Sequence, residues 1–272
     1  MKLSNLVLAV LLAISLSPGS AAAAHKTTAN DPAVVRGTSL TLNQIVSRME
    51  VRNRERASAL HEFHGTRIYQ MDYHGFFGHH QAKMVVAVDA STAGKNFTIV
   101  SEEGSKFVLD HVLKRLLKGE KEASNDENRR RTALDTDNYN FSLAGYEPSP
   151  AGARYILTVI PKTNNKYLYR GKIWVDGKDF AVRRIEAGPA KSPSFWIKKT
   201  EINHKYTKVG DFWLPEENHS ESWIRFGGHA VLSIQYKDYK ILAAAPVNST
   251  VHLQQPAKQS GRADKQPADT TR

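Results

Sequence analysis

YILTVIPKTNNKYLYRGKIWVDGKDFAVRRIEA, residues 155–187, decides the fold class of this chain. Its first six residues are aromatic or β-branched apart from Leu157, and Pro161 stops the run because proline has no N–H to give to a ladder. A second run over 167–175 and a third over 180–187 flank Asp176-Gly177-Lys178-Asp179. An Asp-Gly pair between two such runs is a hairpin signal. The same grammar repeats downstream. Runs over 194–206 and 212–215 flank Lys208-Val209-Gly210-Asp211, and runs over 219–226 and 230–239 meet at Gly227-Gly228. Hairpin after hairpin makes an antiparallel meander.

Upstream of this stretch the period changes. Ser39 or Thr41 can cap a helix in which Leu42, Ile45, Val46, Met49, Ala57 and Leu60 recur at helical spacing. Strands are expected over 62–73, 81–89 and 95–101, with His74-Gly75 breaking the first. In the second, Met84, Val86 and Val88 take one face and Val85 and Ala87 the other, which reads as a sheet covered on both sides. Helical spacing returns over 107–117, where Phe107, Val108, Val112, Leu113, Leu116 and Leu117 form a stripe and Gly119 is the expected stop. Residues 118–137 are highly charged and read as a loop with one short helical segment. A weak strand over 141–146 follows. This order of elements predicts an α+β fold. A strongly twisted antiparallel sheet of this length curls into a curved half-barrel, and two amphipathic helices pack on its concave face.

The ends carry a different message. Lys2, the apolar run from Leu6 to Leu16, the break at Ser17-Pro18-Gly19 and the small residues Ala22 and Ala24 read as a signal peptide over 1–24, cleaved after Ala24. The apolar run is shorter than the ~20 residues a spanning helix needs. Residues 25–245 read as one domain and 246–272 as a disordered polar tail, too poor in apolar surface to offset the entropy of ordering. The chain contains no cysteine, which excludes lipid attachment at a cleavage-site cysteine and any thiolate nucleophile. Export without disulfides suits a bacterial periplasm. With 38 Lys and Arg against 27 Asp and Glu, the net charge is +11. Anionic membrane surfaces and acidic partners would be attracted. Export argues against nucleic acid.

Four segments together resemble a known superfamily. They are Leu157-Thr158-Val159-Ile160-Pro161, Trp174-Val175-Asp176, Phe180-Ala181-Val182-Arg183-Arg184-Ile185-Glu186, and Tyr206-Thr207-Lys208-Val209-Gly210-Asp211-Phe212-Trp213-Leu214-Pro215. The layout is similar to the periplasmic outer-membrane lipoprotein-sorting and lipoprotein-carrier superfamily, which also includes sensors of anti-sigma-factor proteolysis. The similarity runs through most of residues 40–240 and is densest between Tyr155 and Tyr239. It implies an open half-barrel with helices on its concave side, a hydrophobic cavity for acyl chains or an apolar peptide, and no catalysis. The charged stretch over 118–137 and the polar tail depart from that pattern.

Met84, Val86, Ile99, Val112, Leu116, Ile173, Val182, Trp196, Trp223 and Ile234 are the candidate lining of such a cavity, each with a plain reading as core. An acyl chain gains about 0.8 kcal/mol per methylene removed from water. Phe76-Phe77, between Gly75 and Gly78, is an apolar hairpin tip that could meet a rim, cargo or partner. Arg183 and Arg184 alternate on a strand, so one of them could hold a carboxylate or phosphate at the rim. No metal is expected: of His61, His64, His74, His79 and His80, His79 and His80 diverge on a strand, as do His61 and His64, and Asp72 is the only nearby Asp. No G-x-S-x-G, H-E-x-x-H or P-loop motif is present, so neither catalytic residues nor a cofactor are expected. The expected partners are an acylated protein or lipid and an inner- or outer-membrane envelope protein. An alternative is a protein-binding envelope module or stress sensor that uses 118–137 or the tail.

Overall fold

The structure, a computed structural model, describes residues 40–76, 78–123, 130–148, 152–165, 167–192, 194–225 and 227–247. The expected leader with its cleavage position, the tail beyond Val247, Ser39 and Phe77 lie outside the described residues. Helix α1 (Leu42–Ala59) leads into strands β1 (Leu60–Gly75), β2 (Gly78–Ser91) and β3 (Gly94–Gly104). A short helical turn α2 (Lys106–Val108), a π-helical stretch (Leu109–Leu113) and α3 (Lys114–Ala123) follow without a break. Then come β4 (Tyr139–Glu147), β5 (Arg154–Pro161), β6 (Tyr169–Asp176), β7 (Val182–Pro189), β8 (Ile197–Val209), β9 (Phe212–Ile224) and β10 (Gly228–Ala244).

All ten strands join one open, curled antiparallel sheet in the order β3-β2-β1-β10-β9-β8-β7-β6-β5-β4. The meander read from the sequence is therefore real. What closes the architecture is the pairing of β1 with β10, which splices the N-terminal hairpins onto the end of the meander. Thr41 begins α1 through a reciprocal capping box with Gln44, a device that contributes about 1 kcal/mol.

Register shows which residues share a face. Met84, Tyr69, Ile234 and Asn218 stand opposite one another across β2, β1, β10 and β9. From Asn218 the row continues through His204, Ile185, Ile173 and Leu157 to Leu143 on β4. Directly opposed residues in an antiparallel pair point to the same side. One face thus crosses the whole sheet, and both helical segments pack on it. Val108, Leu109, Val112, Leu113, Leu116 and Leu117 join Tyr69, Met71, Met84, Val86, Leu232 and Ile234 in one buried cluster. Ile45, Val46 and Met49 of α1 join Leu157, Ile173, Val175, Val182 and Ile185 in a second.

Three sequence expectations need correction. Gly119 does not end the helix: α3 runs on to Ala123, because Glu120 is drawn onto the sheet by cationic partners. Residues 212–215 and 219–226 are not separate strands. They form the single strand β9, in which a bulge between the Lys205 and Tyr206 pairs absorbs the region of Pro215. The second face of β2 is not fully covered either. Val85 and Ala87 are only half-buried, while Met84, Val86 and Val88 are buried.

Candidate functional site

The middle of the helix-bearing face differs from its two flanks. On β8 and β9 it carries Thr200, His204, Asn218, Ser220 and Ser222, all buried and all polar. Leu232 pairs with Ser220 and Ile234 with Asn218, so these side chains lie between the two apolar clusters. Buried polar groups are expensive unless paired, and most of these pair with each other. Thr200 Oγ1 and Ser222 Oγ lie 2.9 Å apart. Ser220 Oγ donates to Asn218 Oδ1 at 2.9 Å. That bond fixes the Asn218 amide so that its Nδ2 donates to His204 Nδ1 at 3.3 Å. The His204 proton therefore sits on Nε2.

Two donors in this seam are left over. His204 Nε2 and the Tyr206 hydroxyl are buried with no hydrogen-bond partner among the described residues. Their rings meet edge-on with centroids 4.5 Å apart, and Tyr236 approaches His204 at 6.0 Å. Burial, then the nearby Arg67 charge, pushes the imidazole down to about 3, with Glu120 opposing. His204 is neutral at ordinary pH. Burial likewise pushes the Tyr206 phenol well above its usual range.

One edge of the seam is held by a buried ion pair. Arg67 Nη1 donates to Glu120 Oε2 at 2.6 Å and Arg67 Nη2 to Oε1 at 3.1 Å, while Lys95 Nζ adds a contact of 3.0 Å to Oε1. The Arg67 guanidinium also lies over the Phe97 and Tyr236 rings at 5.3 and 5.1 Å and donates to the Tyr69 hydroxyl at 3.2 Å. Burial alone would raise the Glu120 carboxyl. The charges of Lys95 and Arg67 and their hydrogen bonds outweigh it and hold Glu120 far below the usual carboxylate range. This group ties α3 to β1 and β3. On the other flank Arg56 of α1 donates to the Asp179 carbonyl at 2.9 Å, which fastens that helix to the β6–β7 turn.

The expected lining residues divide. Met84, Val86, Val112, Leu116 and Ile234 lie in the first cluster, and Trp196 packs partly buried against it. Ile173 and Val182 lie in the second. Ile99 pairs with Val86 on the edge strand β3 but stays 39 % exposed. Trp223 alternates with Ser222 and stands on the opposite face, against His229 at 5.4 Å and beneath the Lys199 ammonium at 5.1 Å. Phe76 is 85 % exposed at the β1–β2 tip. Arg183 and Arg184 do not alternate simply, because a bulge follows the Trp174–Arg184 pair. Arg183 lies over Trp213 and pairs with Asp176, while Arg184 lies over Trp174 and pairs with Glu186. Asp176 is a turn former, as its residue type suggested: its Oδ1 accepts from the Lys178 and Asp179 amides.

Sequence reasoning missed Arg67, Glu120, His204 and the serines of β9. The alternation of Asn218, Ser220 and Ser222 at period two was a legible signal of one sheet face. Its burial was not, because polar residues at that spacing ordinarily face water.

No family model and no curated protein matches the chain. Several solved structures are similar to it. One is a domain assigned to outer membrane lipoprotein sorting from Vibrio parahaemolyticus, 10% identical, covering 72% of this chain and 92% of that one with a TM-score of 0.37. A LolA superfamily protein from Nitrosomonas europaea is 12% identical, covering 76% and 96% with a TM-score of 0.33. The MucA/MucB complex of Pseudomonas aeruginosa is 8% identical, covering 74% and 98% with a TM-score of 0.24.

Proposed function

We propose that residues 25–245 form a non-catalytic periplasmic binding domain, exported with loss of residues 1–24, which holds a lipoprotein acyl chain or a similar amphiphile for sorting toward the outer membrane. In this reading the helix-bearing face is the concave wall of a half-barrel, and the ligand lies between α1 and the α2–α3 segment. The observation that carries it is the seam on β8 and β9: polar side chains between two apolar clusters, with His204 Nε2–H and the Tyr206 hydroxyl unpartnered among the described residues. Hydrocarbon would gain about 0.8 kcal/mol per methylene against the flanking clusters. An ester or amide carbonyl of the same ligand would accept from the two free donors and remove the cost of leaving them bare.

Protein purified from the periplasmic fraction and extracted for lipid mass spectrometry is expected to yield acylated species. Ser220→Trp, which fills the seam, is expected to weaken a fluorescent acyl probe at least about tenfold, or ~1.4 kcal/mol, while circular dichroism stays native. Lipid-free protein that also excludes the probe would refute the reading.

A second reading, a protein-binding envelope module or sensor, is favoured by the exposed Phe76 at the hairpin tip. A photo-crosslinker at position 76 is expected to trap a protein in intact cells if that reading holds. Labelling no stronger than from a position on the outer face of β5 counts against it.

A further inference from the structure

Two histidines meet a carboxylate at the far end of the β1–β2 hairpin. His74 and His79 are directly opposed in the β1–β2 register, one pair before Gly75 and Gly78. Asp72 lies two residues before His74 on the same strand and so points to the same side. This is the outer face, since Tyr73 and Met71 point to the buried cluster. The two imidazoles stack at 3.9 Å between centroids with planes 17° apart. Their Nε2 atoms converge on one oxygen: Asp72 Oδ1 is 2.8 Å from His74 and 3.1 Å from His79. All three donor atoms lie within 4.8 Å of one another. Gln81 Nε2 donates to the other carboxylate oxygen, Oδ2, at 2.7 Å, which aims Oδ1 at the histidines.

We propose that Asp72, His74 and His79 form a binding site for a borderline divalent transition-metal ion of the zinc class on the outer face of the β1–β2 hairpin. Two imidazole nitrogens and one carboxylate oxygen are a donor set that suits zinc and copper rather than calcium or magnesium, which prefer all-oxygen shells. Three protein ligands leave a position for water or an exogenous ligand, as in open zinc sites. The Gln81 bond plays the outer-shell part of orienting the carboxylate. Burial pushes the Asp72 carboxyl up, but the Gln81 hydrogen bond and the charges of His74 and His79 outweigh it and hold the carboxyl below its ordinary value. His229, paired with His74 across β1 and β10 and joined to Glu221 at 3.4 Å, is the nearest further imidazole on that face. A bound ion would cross-link β1 to β2 beside the exposed Phe76.

The test is titration calorimetry of the full mature chain with zinc alone, repeated with copper. One ion per chain is expected, and X-ray absorption of the zinc form is expected to show two imidazoles in the shell at about 2.0–2.1 Å. His74→Ala and His79→Ala are each expected to weaken binding at least tenfold, and Asp72→Asn by several-fold. His229→Ala should have less effect than any of these. All four positions are exposed or half-buried, so near-ultraviolet circular dichroism should be unchanged. No measurable heat with either metal, or affinity that survives both histidine substitutions, overturns the assignment. Affinity lost on His229→Ala alone would move the site to the Glu221 group and overturn it equally.

Discussion

Replacing Glu120 with alanine is expected to lower the free energy of unfolding by about 3–5 kcal/mol, read as a drop in the urea midpoint at unchanged slope. The reason is what the substitution leaves behind. Arg67 is 7 % exposed and receives its counter-charge from Glu120 through two hydrogen bonds. Without the carboxylate, a guanidinium stays over Phe97 and Tyr236 with only the Tyr69 hydroxyl as an acceptor among the described residues. The same loss frees Lys95 and removes the anchor of α3, so the variant should also bind more of a hydrophobic dye than the wild type does. Removing both partners is a different experiment. Arg67→Met with Glu120→Leu leaves no orphaned charge and is expected to restore most of the lost stability. The pair's pH dependence has a definite sign. Glu120 is held below its ordinary value, so its contribution is fully present above about pH 4.5 and is lost as pH falls toward the folded-state value. A Glu120→Ala cost under about 1 kcal/mol would place the pair among ordinary surface bridges and would sink this account.

That ion pair also shows where the sequence stops being legible. The strands of the meander announce themselves through local chemistry. Pro161, Asp176-Gly177 and Gly227-Gly228 punctuate apolar runs, and the structure places turns or strand ends at each. The apolar stripe of 107–117 was legible for the same reason, since its period belongs to a helix. Arg67 and Glu120 are far apart in the chain, on elements brought together by the β1–β3 sheet and the helix laid over it. Nothing in a run of charged residues around Glu120 marks which one is buried. The seam was hidden similarly. Asn218, Ser220 and Ser222 alternate with Glu217, His219 and Glu221, and a polar strand of that kind reads as solvent-facing on both sides. Only the β9–β10 register, which sets Ser220 opposite Leu232, turns one of its faces inward. The Asp72, His74 and His79 group failed for a simpler reason. Adjacent histidines diverge along one strand, whereas the convergence runs across a hairpin whose register the turn at Phe76 sets.

Acid sensitivity should trace to His204 more than to any other single histidine. The ring is buried, its Nδ1 accepts from Asn218, and its folded-state value is about 3 against an ordinary 6.5. Between those limits the unfolded chain binds a proton that the native state refuses. Stability therefore rises with pH across this window and falls on acidification by about 1.4 kcal/mol per unit from this residue. At pH 4.5 the loss is roughly 2–3 kcal/mol. The groups around the ring reinforce the sign. Arg67 on β1 adds positive charge, Glu120 on α3 opposes it but is spent on Arg67 and Lys95, and Tyr206 and Tyr236 offer neutral edges. Other groups titrate in the same range. Asp135, raised to about 6 by burial, works in the opposite direction, because there the native state binds the extra proton. His204→Gln isolates the histidine, since it keeps a polar side chain for Asn218 and cannot titrate. Denaturation midpoints measured from pH 7 to pH 4.5 are expected to fall less steeply for this variant, with the two curves diverging progressively below pH 6.5. Parallel curves, or a His204 imidazole that titrates near 6.5 by NMR, would mean that water reaches Nε2. The free donor would then already be satisfied by solvent, and the seam would hold no vacant hydrogen bond for a ligand carbonyl to complete.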